Sequence, residues 1–446
     1  MVRSKPRPEI PGGPHLVVGL ARSGMAAALA LRARGEEVIG ADARTPAGTE
    51  ELAEAGVEVH VEDDGVALLQ RVRSVIKSPG VPAQAPVIAA AFERGVSVIG
   101  ELELAWRMLS NEFIAVTGTN GKTTTVELIG HIHREAGLPV AVAGNVGRAV
   151  SSLVGSVSPE TTVVCEVSSF QLEDTRAFSP EAAVLLNVSP DHLDRHGTFE
   201  AYLQAKLLVF ARQGNDDVSV APVDLEVEDL GGCARPLSFG AGRAAAVSLR
   251  AGELWWEERP LMAVEEVRLR GAHNIENAMA AAAVCLARGV EEDAVREGLR
   301  SFAGVPHRLE EVATRDGVLY VNDSKATNIA STQVALDAFM DGGSIHLILG
   351  GQGKGQDFTA LRDGVQRSCR AVYLIGQDAG LIAHALADLD PPIHQCGELE
   401  RAVSGAQANA RAGEVIMLSP ACASFDQFAD FEARGERFRA LVGISV

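Results

Sequence analysis

The sequence has few cysteines, and they are widely separated. They lie at Cys165, Cys233, Cys285, Cys369, Cys396 and Cys422. No two of them form a Cys-x-x-Cys pair, so their spacing indicates neither a zinc site nor a disulfide framework. We therefore expect reduced thiols and a cytoplasmic protein.

Positive charge is also scarce. The chain has 40 Lys and Arg against 59 Asp and Glu, which gives a formal net charge of -19, and the basic residues are scattered. This balance argues against nucleic-acid and anionic-membrane partners. An anionic substrate would need local cations or helix N-termini for binding.

Long apolar segments are missing as well. The longest apolar stretch, residues 278–287, is about half as long as a membrane span. The first 14 residues contain lysine and proline but no apolar core of a signal peptide. We expect a loose leader there and no membrane partner.

The chain does contain a regular alternation of short apolar runs and helical patterns. This alternation is typical of α/β proteins with parallel sheets. Because 446 residues exceed one hydrophobic core, we expect about three domains. The predicted domains are a Rossmann-like domain at residues 1–100, a phosphate-loop α/β domain at 101–304 and a second Rossmann-like domain at 305–446.

The first predicted domain begins with a strand at residues 15–20, a helix at 23–33 and a strand at 37–42. The intervening loop, residues 19–24, nearly matches the dinucleotide-binding fingerprint, with Ala21 in place of the middle glycine. This pattern favours a nucleotide diphosphate at the helix N-terminus, with Asp42 near its sugar or base. Residues 78–80 close another strand and could line the same crevice.

A glycine-rich loop follows a buried strand in the second domain. Residues 113–124 read FIAVTGTNGKTT, where Gly118 and Gly121 allow a tight turn that directs backbone N–H groups inward. Lys122 can reach the β- and γ-phosphates of a nucleotide, and the Thr123 hydroxyl can bind Mg²⁺. The standard phosphate-binding loop of nucleotide-binding proteins is longer, and it has a glycine at the position that Val116 occupies in this chain.

Further polar residues follow the next apolar strands. Glu166 ends the strand at residues 161–166, where an acid could hold Mg²⁺ opposite the loop threonine. A strand predicted at 182–188 is followed by the segment DHLD at residues 191–194 and then by Arg195, His196 and Gly197. Two aspartates and two histidines at the end of a parallel strand are typical of a site that binds a ligand or a metal. A helix predicted at 199–211 carries Lys206 among apolar neighbours, an unusual setting for a lysine. Residues 217–270 have a β-like, turn-rich pattern.

The third domain opens with a predicted hairpin at residues 309–321. Its second strand ends in the polar segment NDSKATN at 322–328. Two later strands end in polar turns at 350–355 and 419–428. Because ligands bind at the carboxyl ends of parallel strands, we expect these segments to carry binding residues.

Together these segments resemble the Mur ligases, the ATP-dependent amide-forming enzymes of peptidoglycan precursor synthesis. The shared motifs are GTNGKTT (118–124), EVSS (166–169), DHLD (191–194), Lys206, HNIEN (273–277) and PHR (306–308). Segments 322–328 and 418–428 resemble the family member that adds D-glutamate to UDP-N-acetylmuramoyl-L-alanine.

The resemblance implies an acyl-phosphate ligase with ATP, two Mg²⁺ ions and a carbamoylated Lys206. The implied catalytic residues are Lys122, Glu166, His192 and Lys206, and the implied metal ligands are Thr123, Glu166, His192 and Lys206. The implied ATP-binding residues are Gly118, Thr119, Asn120, Gly121, Lys122, Thr123, Thr124, Asn274, Arg308, Asp323 and Lys325. The implied substrate-binding residues are Gly19, Ser23, Gly24, Asp42, Ser78, Gly80, Asn145, Thr327, Lys354, Ser424 and Phe431. A monomer is expected.

Three alternatives stay open at this point. The chain could be another family member, such as a folylpolyglutamate synthetase or a diaminopimelate- or lysine-adding ligase. It could be a nicotinamide-dependent dehydrogenase that uses residues 19–24 and Asp42, or a nucleotide-binding switch without catalysis. Amino-acid selectivity, NAD(P)H binding and amide formation distinguish these alternatives.

Overall fold

The computed structural model describes residues 5–225, 227, 229–339, 344–353 and 355–443. Two compact units make up this part of the protein. One contains the chain up to Arg268 together with His273–Phe302, and the other contains Leu269–Ala272 and the chain from Ala303 onward. Within the described ranges, no helix combines the length and the apolarity needed to traverse a lipid bilayer.

The first unit begins with a five-stranded parallel sheet. Its strands are β1 (His15–Val18), β2 (Val38–Asp42), β3 (Glu58–Val61), β4 (Ser74–Lys77) and β5 (Ser97–Gly100), and its helices are α1 (Arg22–Ala33), α2 (Thr49–Glu54) and α3 (Pro86–Glu93). The strand order is β3-β2-β1-β4-β5, and all four pairings are parallel. The order reverses direction between β1 and β4, the point at which doubly wound sheets bind ligands. The predicted Rossmann-like fold is confirmed.

The expected loose leader is wrong for residues 5–14. The Lys5 ammonium donates to the Asp217 carboxylate and, at 2.9 Å, to the Ser179 hydroxyl. Arg7 donates to Glu181 at 2.9 Å, and its guanidinium lies 4.3 Å from the centre of the Trp106 ring. A buried carboxylate needs a cation, and here the leader supplies it.

A nine-stranded sheet forms the rest of the first unit. Its strands are β6 (Phe113–Thr117), β7 (Val140–Gly144), β8 (Thr162–Glu166), β9 (Ala182–Leu185), β10 (Val218–Pro222), β11 (Arg235–Ala241), β12 (Val247–Arg250), β13 (Glu253–Trp256) and β14 (Arg259–Ala263). The accompanying helices are α4 (Glu101–Met108), α5 (Lys122–Glu135), α6 (Ser169–Glu173), α7 (Leu193–His196), α8 (Phe199–Leu207), α9 (Ala272–Ala287) and α10 (Glu292–Ser301).

The strand order of this sheet is β14-β13-β12-β11-β10-β9-β6-β8-β7. The β-like residues 217–270 extend it, first by parallel strands and then by the antiparallel β13 and β14. Two elements are shorter than predicted. The strand predicted at 182–188 is β9, which ends at Leu185, and the helix predicted at 199–211 is α8, which ends at Leu207. The central strands are mainly apolar, and residues 113–116 of β6 are completely buried. Such burial on both faces is typical of a parallel sheet covered by helices.

The second unit has a six-stranded sheet. Its elements are β15 (Glu310–Arg315), β16 (Val318–Asn322), α11 (Ile329–Ala338), β17 (Ile345–Gly350), α12 (Arg362–Ser368), β18 (Cys369–Ile375), α13 (Ala379–Ala385), β19 (Ile393–Gly397), α14 (Leu399–Asn409), β20 (Val415–Leu418) and α15 (Phe431–Leu441). The order is β15-β16-β20-β17-β18-β19. The predicted hairpin is present as β15 and β16, and the other pairings are parallel.

Candidate active site

The register of the central sheet brings four strand ends to one edge. Glu166, the last residue of β8, lies opposite Val116 of β6 and Gly144 of β7. On the other side of β6, Thr117 lies opposite Leu185 of β9. Polar residues that follow these strands are therefore neighbours in space.

The glycine-rich loop between β6 and α5 is held in one conformation by its neighbours. Gly118 and Gly121 have φ values of 154° and 84°, which side-chain-bearing residues rarely adopt. The Asn187 side-chain oxygen accepts a 2.9 Å hydrogen bond from the Asn120 N–H, and the Asn187 carbonyl accepts one of 3.0 Å from the Thr119 N–H. The loop leads directly into α5, whose first N–H groups and dipole favour an anion.

Thr123 and Glu166 meet at this edge. The Thr123 hydroxyl donates to Oε2 of Glu166 at 2.7 Å, and the Asn145 amide donates to Oε1 at 3.2 Å. Glu166 is only 2% exposed. A hydroxyl and a carboxylate are oxygen ligands of the kind that Mg²⁺ prefers, so these residues fit such an ion.

Two lysines converge on the same loop. Lys122 and Lys206 donate to the Gly118 carbonyl at 2.9 and 2.8 Å. Lys206 is only 1% exposed. Burial, which is the larger cause, and the nearby positive charge of Lys122 together lower the pKa of Lys206 to about 7. A large fraction of this amine is therefore unprotonated and nucleophilic near neutral pH.

His192 shares an aromatic neighbour, Tyr202, with the buried lysine. Its ring centre is 5.0 Å from that of Phe170 and 6.3 Å from that of Tyr202. The Tyr202 ring also faces Lys206, whose Nζ lies 4.4 Å from the ring centre. Across the described residues, no group of three or more His, Cys, Asp or Glu could hold a metal ion.

The first sheet carries a second tightly packed loop. A Cβ atom at Gly24 would lie 1.8 Å from the Gly19 carbonyl oxygen, and that oxygen accepts a 2.6 Å hydrogen bond from the Ser78 hydroxyl. The Asp42 carboxylate accepts from the Leu20 N–H at 2.7 Å and from the Arg44 N–H at 2.9 Å. Asp42 thus shapes the loop. Ser23 is in the first turn of α1, and Gly80 is exposed after β4.

In the second unit, the segments around residues 323 and 419 bind one another. Asp323 accepts a 2.7 Å hydrogen bond from the Ser419 hydroxyl and one of 3.2 Å from the Leu309 N–H. Burial raises the pKa of Asp323 to about 7. The Lys325 ammonium lies 5.8 Å from the centre of the Phe431 ring.

A buried arginine joins these segments. Arg434 is only 1% exposed. It donates to the hydroxyl and carbonyl of Ser324 at 2.9 and 2.8 Å and to the Cys422 carbonyl at 3.1 Å. Burial lowers the pKa of Arg434 to about 10. Arg434 therefore holds together two segments in which substrate-binding residues are predicted.

The remaining predicted residues are placed as follows. Asn274 lies on α9 in the first unit, Arg308 precedes β15, Thr327 precedes α11, and Ser424 is buried after β20. Lys354 lies outside the described residues.

Sequence reasoning missed three residues that shape these sites: Asn187, Tyr202 and Arg434. Asn187 gave one usable signal, since it is a polar residue soon after a buried strand. In sequence Tyr202 is one of the apolar neighbours of Lys206, yet its hydroxyl lies 3.2 Å from the Thr119 hydroxyl. Nothing in the local pattern marks Arg434 as buried, because its partners lie on other segments.

Family models match most of the chain. The Mur ligase MurD-like N-terminal domain matches residues 14–100, the Mur ligase middle domain matches 116–285, and the Mur ligase glutamate ligase domain matches 307–422. The chain belongs to the Mur ligase family. The dehydrogenase alternative has no support from these matches.

Curated relatives of this Mur ligase match over nearly their full length. The UDP-N-acetylmuramoylalanine--D-glutamate ligase of Acidobacterium capsulatum is 42% identical over 452 residues, covering 97% of each chain. The ligase of the same name from Gloeobacter violaceus is 42% identical over 441 residues, covering 96% of this chain and 98% of the relative.

Solved structures share the three-domain α/β fold. The UDP-N-acetylmuramate-alanine ligase MurC from Thermotoga maritima matches with a TM-score of 0.61 at 19% identity, covering 96% of this chain and 98% of that chain. MurF ligase from Thermotoga maritima in complex with ADP matches with a TM-score of 0.59 at 17% identity, covering 91% and 94%.

Proposed function

We propose that this Mur ligase joins D-glutamate to UDP-N-acetylmuramoyl-L-alanine with consumption of ATP, in peptidoglycan precursor synthesis. The observation that carries the proposal is the 42% identity to a ligase of that name over 97% of both chains. The glycine-rich loop and the Thr123–Glu166 pair support it, because such an enzyme needs a site for nucleotide phosphates and Mg²⁺.

ATP supplies a phosphoryl group that converts the substrate carboxylate into an acyl phosphate, a far better electrophile. In our proposal the N–H groups of residues 118–124 bind the phosphates, and the Lys122 ammonium neutralises their charge. Thr123 and Glu166 hold one Mg²⁺. The other residues that we propose to bind ATP are Asn274, Arg308, Asp323 and Lys325.

We further propose that Lys206 is carbamoylated and that it holds a second Mg²⁺ together with His192. Carbamate formation requires an unprotonated amine, and the lowered pKa of Lys206 provides it. The product is an anion in place of a buried cation. An anionic ligand there would balance a metal charge beside the Gly118 carbonyl.

The substrates are assigned to three regions. We propose that UDP binds the first sheet through Gly19, Ser23, Gly24, Asp42, Ser78 and Gly80, and that Asn145 contacts the muramoyl-alanine part. The D-glutamate pocket would consist of Thr327, Lys354, Ser424 and Phe431. Hydroxyl groups and a lysine are suited to binding carboxylates.

An isotope experiment tests the proposed acyl phosphate. In this reaction the D-glutamate amine attacks the acyl carbon, the carbon–oxygen bond to phosphate breaks, and the amine loses a proton. One carboxylate oxygen of the nucleotide substrate therefore leaves with phosphate. With both carboxylate oxygens labelled with ¹⁸O, mass analysis should find one label in each released phosphate. Release of unlabelled phosphate only would contradict the proposal.

We also propose domain boundaries at residues 100/101 and 304/305, for a UDP-binding, an ATP-binding and an amino-acid-binding domain. The division of the described chain between Phe302 and Ala303 supports the second boundary. A cytoplasmic monomer is part of the proposal. The free, mostly buried cysteines fit a reducing compartment.

A further inference from the structure

A cavity of about 340 Å³ lies within the first unit, between the first sheet and the segments around α6 and α7. This volume is near the lower end of the range for small-molecule sites. The described residues that line the cavity include none of those assigned above to ATP, metal or substrates. The cavity is therefore a separate candidate site.

One wall of the cavity is apolar. It includes Ile88 and Phe92 of α3 and Val98 and Ile99 of β5. Phe92 is 55% exposed, which is unusual for a large apolar side chain in this protein. Ile88, Val98 and Ile99 are at most 6% exposed, so a ligand with an apolar body would remove mainly the Phe92 ring from water.

The cavity lining also carries charged side chains. Three cations and two carboxylates line the cavity, an excess of one positive charge in a chain whose net charge is -19. These residues are Lys77, Arg176, Arg195, Glu173 and Asp174. An excess of one positive charge favours a ligand with one negative charge.

Most of these charges are already engaged. Lys77 donates to Asp174 at 2.5 Å, and Glu173 lies 3.3 Å from the His196 ring nitrogen. The Arg195 guanidinium lies 3.8 Å from the centre of the Phe170 ring. Arg176 is exposed and makes no ion pair with another described residue. Its guanidinium is the group best suited to a ligand carboxylate.

We propose that this cavity binds a small monocarboxylate with an aryl or branched-alkyl body. The carboxylate pairs with Arg176, and the body packs against Phe92. Two lining residues lie close in sequence to proposed site residues, since Lys77 directly precedes Ser78 and Arg195 follows His192 by three positions.

Calorimetric titration of the full chain with 4-phenylbutyrate tests this proposal, with the uncharged 4-phenylbutyramide as the matched probe. We expect submillimolar binding of the acid and at least tenfold weaker binding of the amide, because only the acid pairs with Arg176. Equal affinities, or no binding of either probe at millimolar concentrations, would overturn the proposal.

Variants locate the binding. Arg176→Gln should remove the preference for the acid, and Ala83→Trp, which places a bulky side chain in the cavity, should weaken both probes at least tenfold. Arg235→Gln, which changes an exposed arginine on β11 outside the cavity lining, is the control and should bind both probes like the original chain.

The acid should still bind at saturating UDP-N-acetylmuramoyl-L-alanine. Loss of binding under that condition would mean that the probe occupies the substrate site.

Discussion

The Thr123 hydroxyl donates a 2.7 Å hydrogen bond to the carboxylate of Glu166 across the edge of the central sheet. The two residues are 43 positions apart in sequence. They meet because β6 and β8 are parallel neighbours whose carboxyl ends lie at the same edge. A hydroxyl and a carboxylate next to the glycine-rich loop form the part of the site most directly suited to Mg²⁺.

Glu166→Gln should nearly abolish ligation while the protein stays folded. The amide can still accept the Thr123 hydrogen bond, but it lacks the negative charge that holds Mg²⁺. We expect kcat to fall by about 10³-fold, as for loss of a major electrostatic contribution to catalysis. Steady-state phosphate release at several Mg²⁺ concentrations measures this. Glu160→Gln, at an exposed carboxylate, should retain activity. A loss below tenfold in Glu166→Gln would contradict the assignment.

Lys206→Met should change how stability depends on pH. The pKa of Lys206 is about 7 in the folded chain and 10.5 for an ordinary lysine. Between these values the unfolded chain binds more protons, so the free energy of unfolding of the original chain rises with pH. Methionine does not titrate, so the free energy of unfolding of the variant lacks this rise with pH. In CO₂-free, Mg²⁺-free buffer, the variant should be more stable at pH 6, and its advantage should shrink toward pH 9.

Urea unfolding of both chains at pH 6, 7, 8 and 9 measures this difference. A constant gap between the two chains would show that Lys206 has an ordinary pKa. That result would also remove the chemical support for carbamoylation.

Arg7→Met should destabilise the first unit. Arg7 and Glu181 form a buried pair whose nitrogen and oxygen are 2.9 Å apart, and the second Glu181 oxygen accepts from the Phe113 N–H at 2.8 Å. Removal of one partner leaves a buried carboxylate uncompensated, which costs about 3 kcal/mol. The double variant Arg7→Met/Glu181→Gln should recover part of this loss in urea unfolding. If the single variant unfolds like the original chain, the leader does not stabilise the unit.

Arg434→Met should destabilise the second unit by about 3 kcal/mol, because two carbonyl oxygens and a hydroxyl lose a buried donor. Arg437 lies on the same helix and forms an exposed pair with Glu400 at 2.6 Å. Arg437→Met is therefore the matched control, with an expected loss below about 1 kcal/mol. The urea midpoint of each variant provides the comparison. Similar midpoints would show that the buried contacts of Arg434 contribute little.

The strands and the central loop could be predicted from sequence because local patterns determine them. Apolar runs marked β6 and β8, and glycines at positions 118 and 121 marked a turn with positive φ. The sequence places Lys206 among apolar neighbours, and its 1% exposure confirms that setting, whereas its role stays a prediction.

Contacts between distant segments could not be predicted in the same way. The pairing of Arg7 with Glu181 and the burial of Arg434 depend on tertiary packing, which no local periodicity records. Asp42 is predicted to lie near a nucleotide sugar or base from its position at the end of the second strand, β2. Its hydrogen bonds to the Leu20 and Arg44 N–H groups depend on how the loop folds back.

The most direct test of the account is amino-acid selectivity. Phosphate release and product mass would be measured with ATP, Mg²⁺ and UDP-N-acetylmuramoyl-L-alanine in the presence of D-glutamate, L-glutamate, L-lysine or diaminopimelate. We predict turnover and an amide product with D-glutamate alone. Turnover with a different amino acid, or no amide product with any of them, would contradict the proposed function.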